Sequence, residues 1–120
     1  MGIKQDAGEL LLYYYTFKRK GERFPGLDAV LEITRWEPHR LNSAFEYCEQ
    51  TDVLNVLKSL GSHAPGLQNR VIMDVTAIGV DLIEGTTTQQ GSNQFNAIFN
   101  LSINIEKPTL NLTFGSFKLF

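Results

Sequence analysis

The order of apolar and polar residues predicts three helices in the first half of the chain. Apolar side chains recur at helical spacing over residues 3–20, 27–34 and 38–50. Pro38 suits the first position of the third helix, where its missing N–H group has no helical partner to lose. The apolar stripe of that helix follows the i, i+3, i+4, i+7 pattern and consists of Leu41, Ala44, Phe45 and Cys48.

The next segment predicts a β-hairpin that leads into a fourth helix. Residues 53–61 favour a strand, although a helix is an alternative there, and residues 70–75 favour a second strand after a polar loop. Thr76 then suits the N-cap of a helix over residues 77–84. Gly79 within this helix costs roughly 1 kcal/mol relative to Ala. This cost is tolerable if the helix backbone must approach a neighbouring segment closely.

The last third of the chain changes from helical spacing to strict alternation. Residues 86–94 (TTTQQGSNQ) predict a polar linker, and the alternation from residue 95 predicts a β-hairpin with a turn at 106–109. Because an isolated hairpin is marginal in water, its apolar face must be covered. We expect residues 95–120 to form a homo-oligomerisation element, the alternative being an extra sheet on the same monomer. The residues of this face are Phe95, Phe99, Leu101, Ile103, Ile105, Leu110, Leu112 and Phe114.

The composition indicates a small chain with an ordinary core and nearly balanced charge. It has 120 residues, 42% of them hydrophobic, and a formal net charge of −2. No global basic field draws such a chain to nucleic acid or anionic membranes, so any such binding must be local. Cys48 is the only cysteine, which excludes an intramolecular disulfide and a cysteine-based zinc site. We expect no cofactor and no metal.

The sequence offers little for catalysis or for membrane insertion. Its two histidines lie far apart, and it has no glycine-rich phosphate loop, HExxH or G-x-S-x-G motif. We therefore expect a protein that is not an enzyme. The N-terminus lacks the pattern of a signal peptide, and no apolar run approaches the roughly 20 residues of a membrane helix. These features predict a cytoplasmic protein.

The order of elements over residues 3–85 resembles the winged helix-turn-helix family. The segment LDAVLEITRWEPHRLNSAFEYCEQTDVLNVL is similar to a helix-turn-helix that runs into the first wing strand. The segment VIMDVTAIGVDLIEG is similar to the second wing strand and the closing helix. The resemblance implies an α+β fold with a winged-helix domain over 1–85, and the linker over 86–94 and the appended hairpin over 95–120 lie outside it.

The resemblance also implies a function, namely a small transcriptional regulator that acts by occupying double-stranded DNA, and the oligomerisation expected of residues 95–120 would make it a homodimer. The helix over residues 38–50 would be the recognition helix in the major groove. The residues that would read bases are His39, Arg40, Asn42 and Ser43. The residues that would contact phosphates are Arg35, Lys18, Arg19 and Arg70.

The local charge favours a second hypothesis. Residues 41–85 contain two basic and six acidic residues, a balance of −4, whereas DNA binding relies on cations that neutralise phosphates. The alternative is a protein-interaction or assembly module on the same fold, with an acidic surface that faces a basic partner. A shared fold does not decide between these functions.

Overall fold

The computed structural model describes residues 2–103 and the backbone of two short strands beyond them. The described residues form an α+β fold of five helices, a two-stranded antiparallel sheet that packs on the core with one face, and a second, short strand pair. In chain order the elements are α1 (Ile3–Lys20), α2 (Leu27–Thr34), α3 (Pro38–Gln50), β1 (Leu54–Ala64), β2 (Leu67–Val75), α4 (Ala77–Glu84), a 3-10 turn (Gly85–Thr87), α5 (Gln89–Phe99), β3 (Thr113–Phe114) and β4 (Phe117–Lys118).

The first three helices have the bounds that the sequence predicts. α1 ends at Gly21, which adopts a left-handed conformation with φ 68° that glycine tolerates without steric cost. α2 ends at Arg35, which is also left-handed, with φ 58°. Pro38 is the first residue of α3. Local signals in the sequence are therefore sufficient to define these helices.

α1 is the central element of the core. Every residue from Asp6 to Thr16 is buried, as expected for a helix that neighbours surround on all sides. Buried hydroxyl groups on this helix have partners: the Tyr14 hydroxyl donates to the Pro25 carbonyl at 3.0 Å. Within the described residues, no helix is both long enough and apolar enough to cross a membrane.

The predicted hairpin is confirmed, and its strands are longer than expected. β1 and β2 pair from Leu54 opposite Val75 to Ala64 opposite Leu67, with three irregularities in register. The helical alternative for residues 53–61 is wrong, and the predicted polar loop shrinks to a turn at 65–66. Polar side chains can face water from a paired strand, so polarity alone did not mark the limits of the ladder.

The helix backbone approaches a neighbouring segment closely at Gly79, which is the condition under which a glycine there is tolerable. The Thr76 hydroxyl accepts a hydrogen bond from the Gly79 N–H group at 3.1 Å and so caps α4. A Cβ atom at Gly79 would lie 2.6 Å from the Val53 carbonyl oxygen and 3.2 Å from Leu11 Cδ1. α4 thus packs against the start of the hairpin and against α1, which requires a residue without a side chain.

Residues 86–99 differ from the prediction, because they form a 3-10 turn and a helix rather than a linker and a strand. The Thr88 hydroxyl caps α5 by accepting from the Gly91 N–H group at 3.0 Å. Phe95 and Phe99 are fully buried, with ring centroids 4.8 Å apart. A Cβ atom at Gly8 would lie only 2.8 Å from Phe99 Cβ, so α5 packs tightly on α1. These two phenylalanines belong to the core of this chain and do not form an apolar hairpin face.

The other residues of the predicted oligomerisation face are only partly described. Leu101 is half-buried and Ile103 is buried. Ile105, Leu110 and Leu112, together with the predicted turn at 106–109, lie outside the described residues. For Phe114 only the backbone is described, and it pairs with Phe117 between β3 and β4.

Candidate interaction surfaces

Arg40, a predicted base-reading residue, is held against α1. Its Nε and Nη2 atoms donate to the Asp6 carboxylate at 2.8 and 2.9 Å. Its Cζ atom lies 4.5 Å from the ring centroid of Trp36. The hydrogen bonds to Asp6 raise the pKa of Arg40. Moving this guanidinium toward DNA would leave the buried Asp6 carboxylate without its cation, which is costly.

Arg70 and Asn42 join α3 to β2 instead of facing a ligand. The Arg70 side chain is completely buried. Its Nε donates to Glu49 Oε2 and its Nη1 to Asn42 Oδ1, both at 2.8 Å. Asn42 Oδ1 also accepts from the Gln68 N–H group at 3.0 Å, and Glu49 contacts Lys58 at 3.2 Å. This network fixes α3 to the hairpin and occupies both predicted DNA contacts.

The two predicted phosphate contacts at the end of α1 interact with other side chains of the chain. Lys18 Nζ donates to Asp74 Oδ1 at 2.7 Å in an exposed ion pair, a type worth only about 0–1 kcal/mol. Arg19 lies near Tyr15, whose hydroxyl donates to Glu84 Oε2 at 2.8 Å. Burial and this hydrogen bond raise the pKa of Tyr15 to about 12. Both cations are exposed, and Lys18 is paired with an acidic side chain of the chain.

The accessible side of α3 carries little positive charge. His39, Ser43, Glu46 and Gln50 recur at helical spacing and are exposed or half-buried. His39 Nδ1 lies 3.5 Å from the Glu37 carboxylate. The predicted phosphate contact Arg35 is exposed immediately before α3. Among the residues predicted to bind DNA, Arg35 and His39 are exposed and Ser43 is half-buried. The Arg70 side chain, by contrast, is buried.

The β1–β2 hairpin carries an apolar surface that the sequence analysis did not identify. Leu57 and Val71 are direct partners in the ladder, and they are 61% and 56% exposed. Met73 is 51% exposed, and Leu60 near the turn is 99% exposed. We call Leu57, Val71 and Met73 the outer hairpin face. Concentrated exposed apolar residues are typical of interaction sites.

A signal for this face is present in the sequence. Val71, Ile72 and Met73 are consecutive apolar residues in a strand, and neighbouring residues of a strand point to opposite faces. The sheet has only two strands and packs on the core with one face, so one side of this run must face outward. Ile72 is the buried member of the run, while Val71 and Met73 are exposed.

No family model, curated protein or solved structure matched this chain. The functional argument therefore rests on its own geometry: internally paired arginines on and beside α3, and an uncovered apolar face on the hairpin.

Proposed function

We propose that this chain is a winged-helix-type protein-interaction module that associates with a second copy of itself through the outer hairpin face. The observation that carries the proposal is the cross-strand pair of Leu57 and Val71, extended by Met73, with each side chain more than half exposed. Apolar side chains in such positions gain free energy when a partner removes them from water.

The size of this face predicts a weak dimer. Full burial of a large apolar side chain is worth about 1.5–3 kcal/mol, so three half-exposed side chains from each copy give roughly 4.5–9 kcal/mol. Association itself costs about 4–15 kcal/mol in lost translational and rotational freedom. At the lowest of these costs the net gain is at most about 5 kcal/mol, so association requires high micromolar concentrations or above.

The chemistry around the face fits a second copy better than a charged partner. The residues two positions along the strands from Leu57 and Val71 are Asn55, Ser59 and Asn69, and all are uncharged. Two such surfaces can meet without repulsion between like charges. An isologous contact of this kind closes into a two-fold dimer.

Sedimentation velocity over a range of concentrations tests this proposal. The double variant Leu57→Thr/Val71→Thr keeps strand propensity, because threonine is β-branched, but removes apolar surface. We expect the wild type to associate as concentration rises and the double variant to stay at the monomer mass of 13.5 kDa. The control Ile78→Gln changes an exposed apolar residue of α4 and should associate like the wild type. Equal association of wild type and double variant would refute the proposal.

DNA binding is the second candidate function. It is supported by the order α2, turn, α3 and hairpin, and by the exposed Arg35 and His39 at the start of α3. Fluorescence anisotropy with a labelled random duplex, first at low and then at physiological salt, separates the two functions. Binding that weakens with salt, and weakens further in Arg35→Ala, would favour DNA because phosphate contacts release counterions. No binding at low salt would leave the protein-interaction function alone.

A further inference from the structure

β2 has one edge without a strand partner in the part of the chain that the structure describes. It pairs with β1 along one edge, and no backbone hydrogen bond joins its other edge to another described segment. In an antiparallel pair, every second residue of a strand directs its N–H and C=O groups away from the partner strand. A strand edge of this kind is a template for a further strand.

A cavity of about 930 Å³ lies along this edge, between residues 70–72 of β2 and residues 21–26. Its volume is within the range of ligand-binding sites in proteins. Arg70 lines the cavity through its backbone, because the residue is 4% exposed while its side chain is completely buried. The cavity therefore gives a ligand access to the main chain of β2.

The opposite wall of the cavity is held in place by contacts with α1. The Tyr14 hydroxyl donates to the Pro25 carbonyl at 3.0 Å, and the Glu22 N–H group donates to the Phe17 carbonyl at 2.9 Å. The ring centroids of Tyr14 and Phe24 lie 6.0 Å apart in an edge-to-face contact. A ligand thus enters a cavity that is already formed, and residues 21–26 stay where they are.

The lining of the cavity favours an uncharged and partly apolar ligand. The apolar residues Phe24, Pro25 and Val71 are part of it. Segment 21–26 contains one acidic and one basic residue, Glu22 and Arg23, so its charges balance. Such a lining has no net charge to attract a nucleic acid or an acidic peptide, but it matches a segment with apolar and uncharged polar side chains.

We propose that the cavity holds an extended, uncharged segment of a partner polypeptide, which adds to β2 as a third strand. Main-chain groups of the segment pair with those of β2 that face away from β1, and its apolar side chains pack against Phe24 and Pro25. The β2 strand of a second copy fits less well, because it brings its own segment 21–26 against this wall. The inference is independent of self-association through the outer hairpin face, although Val71 borders both surfaces.

Amide hydrogen exchange measured by NMR on the full-length protein tests the proposal. The probe is the uncharged hexapeptide TVNVTF with blocked ends, and its control is the same peptide N-methylated at every residue, which keeps the side chains but removes the backbone donors. At a peptide concentration about ten times its Kd, the outward-facing amides of residues 69–73 should exchange about tenfold more slowly. The N-methylated peptide should bind at least about tenfold more weakly. Amides of residues 59–61, away from the cavity, should not change.

Two apolar residues outside the strands provide the variant and its control. Phe24→Ala removes part of the wall and should weaken binding of the hexapeptide by about fivefold or more. Ile33 is 38% exposed on α2 and does not line the cavity, so Ile33→Ala should bind like the wild type. Equal binding of the two peptides, full affinity in Phe24→Ala, or unchanged exchange at residues 69–73 would each overturn the proposal. Slow exchange there without peptide, at low or rising protein concentration, would also overturn it, because this chain or a second copy would then already pair with the edge.

Discussion

Replacement of Arg70 by alanine tests whether this arginine stabilises the fold or contacts DNA. The wild-type side chain is fully buried and donates at 2.8 Å to both Glu49 and Asn42. Its Cζ atom also lies 5.3 Å from the ring centroid of Phe45. Arg70→Ala therefore removes a connection between α3 and β2, and we expect loss of stability as its main effect.

The structure sets the size of this loss. Removal of one partner from a buried ion pair costs about 3–5 kcal/mol. Glu49 keeps Lys58 at 3.2 Å, and Asn42 keeps the Gln68 N–H group at 3.0 Å, which places the expected value near the lower end, at about 3 kcal/mol. A chain of this length has a free energy of unfolding of roughly 6–18 kcal/mol. The melting temperature should fall by roughly 10–15 °C.

Urea unfolding followed by tryptophan fluorescence measures the loss. Trp36 is the only tryptophan and is 5% exposed, so its emission will report exposure on unfolding. Arg23→Ala is the control, because Arg23 is exposed, and its free energy of unfolding should stay within about 0.5 kcal/mol of the wild type. Equal unfolding midpoints for the two variants would show that Arg70 does not stabilise the fold, and the argument from its burial would be wrong.

Three further predictions test the core. Phe99→Ala should lower the free energy of unfolding by about 3–5 kcal/mol. The control Asn96→Ala, on the exposed side of α5, should leave it unchanged. Similar urea midpoints for the two variants would contradict the packing of α5 on α1. The pKa of Tyr15 is raised to about 12 in the fold, so the unfolded chain loses this proton first and stability should fall from about pH 10 to pH 12. Tyr15→Phe should reduce that slope in urea titrations, and an unchanged slope would argue against it. Burial raises the pKa of the Cys48 thiol, so it should react with a thiol reagent only after unfolding, and rapid reaction in the native state would contradict its burial.

Local signals determined the helical half of this protein. Gly21 ends α1, Pro38 begins α3 and Thr76 caps α4, and in each case the residue type meets a requirement of the backbone at that position. Hydrophobic spacing then identifies the buried side of each helix. These signals depend on neighbouring residues only, so the sequence was enough to predict the order of elements up to residue 84 and the coarse α+β class, but not the limits of the two strands.

The tertiary structure decided whether residues 89–99 form a helix or a strand. Phe95 and Phe99 are four residues apart, a spacing that places them on one face of either a strand or a helix. Contact with α1 at Gly8 favours the helix, because α5 buries both rings in the core there. That contact joins segments about ninety residues apart in the sequence, so no local pattern records it.

The tertiary structure also decided which charged residues are available to a ligand. The sequence identifies Arg40 and Arg70 as cations but does not give their partners, Asp6 and Glu49, which lie 34 and 21 residues away. The interaction of two charges depends on their distance and burial, and both are set by how α1, α3 and β2 pack. The residue types that bind anions were therefore determined by the sequence, while their accessibility was determined only by the fold.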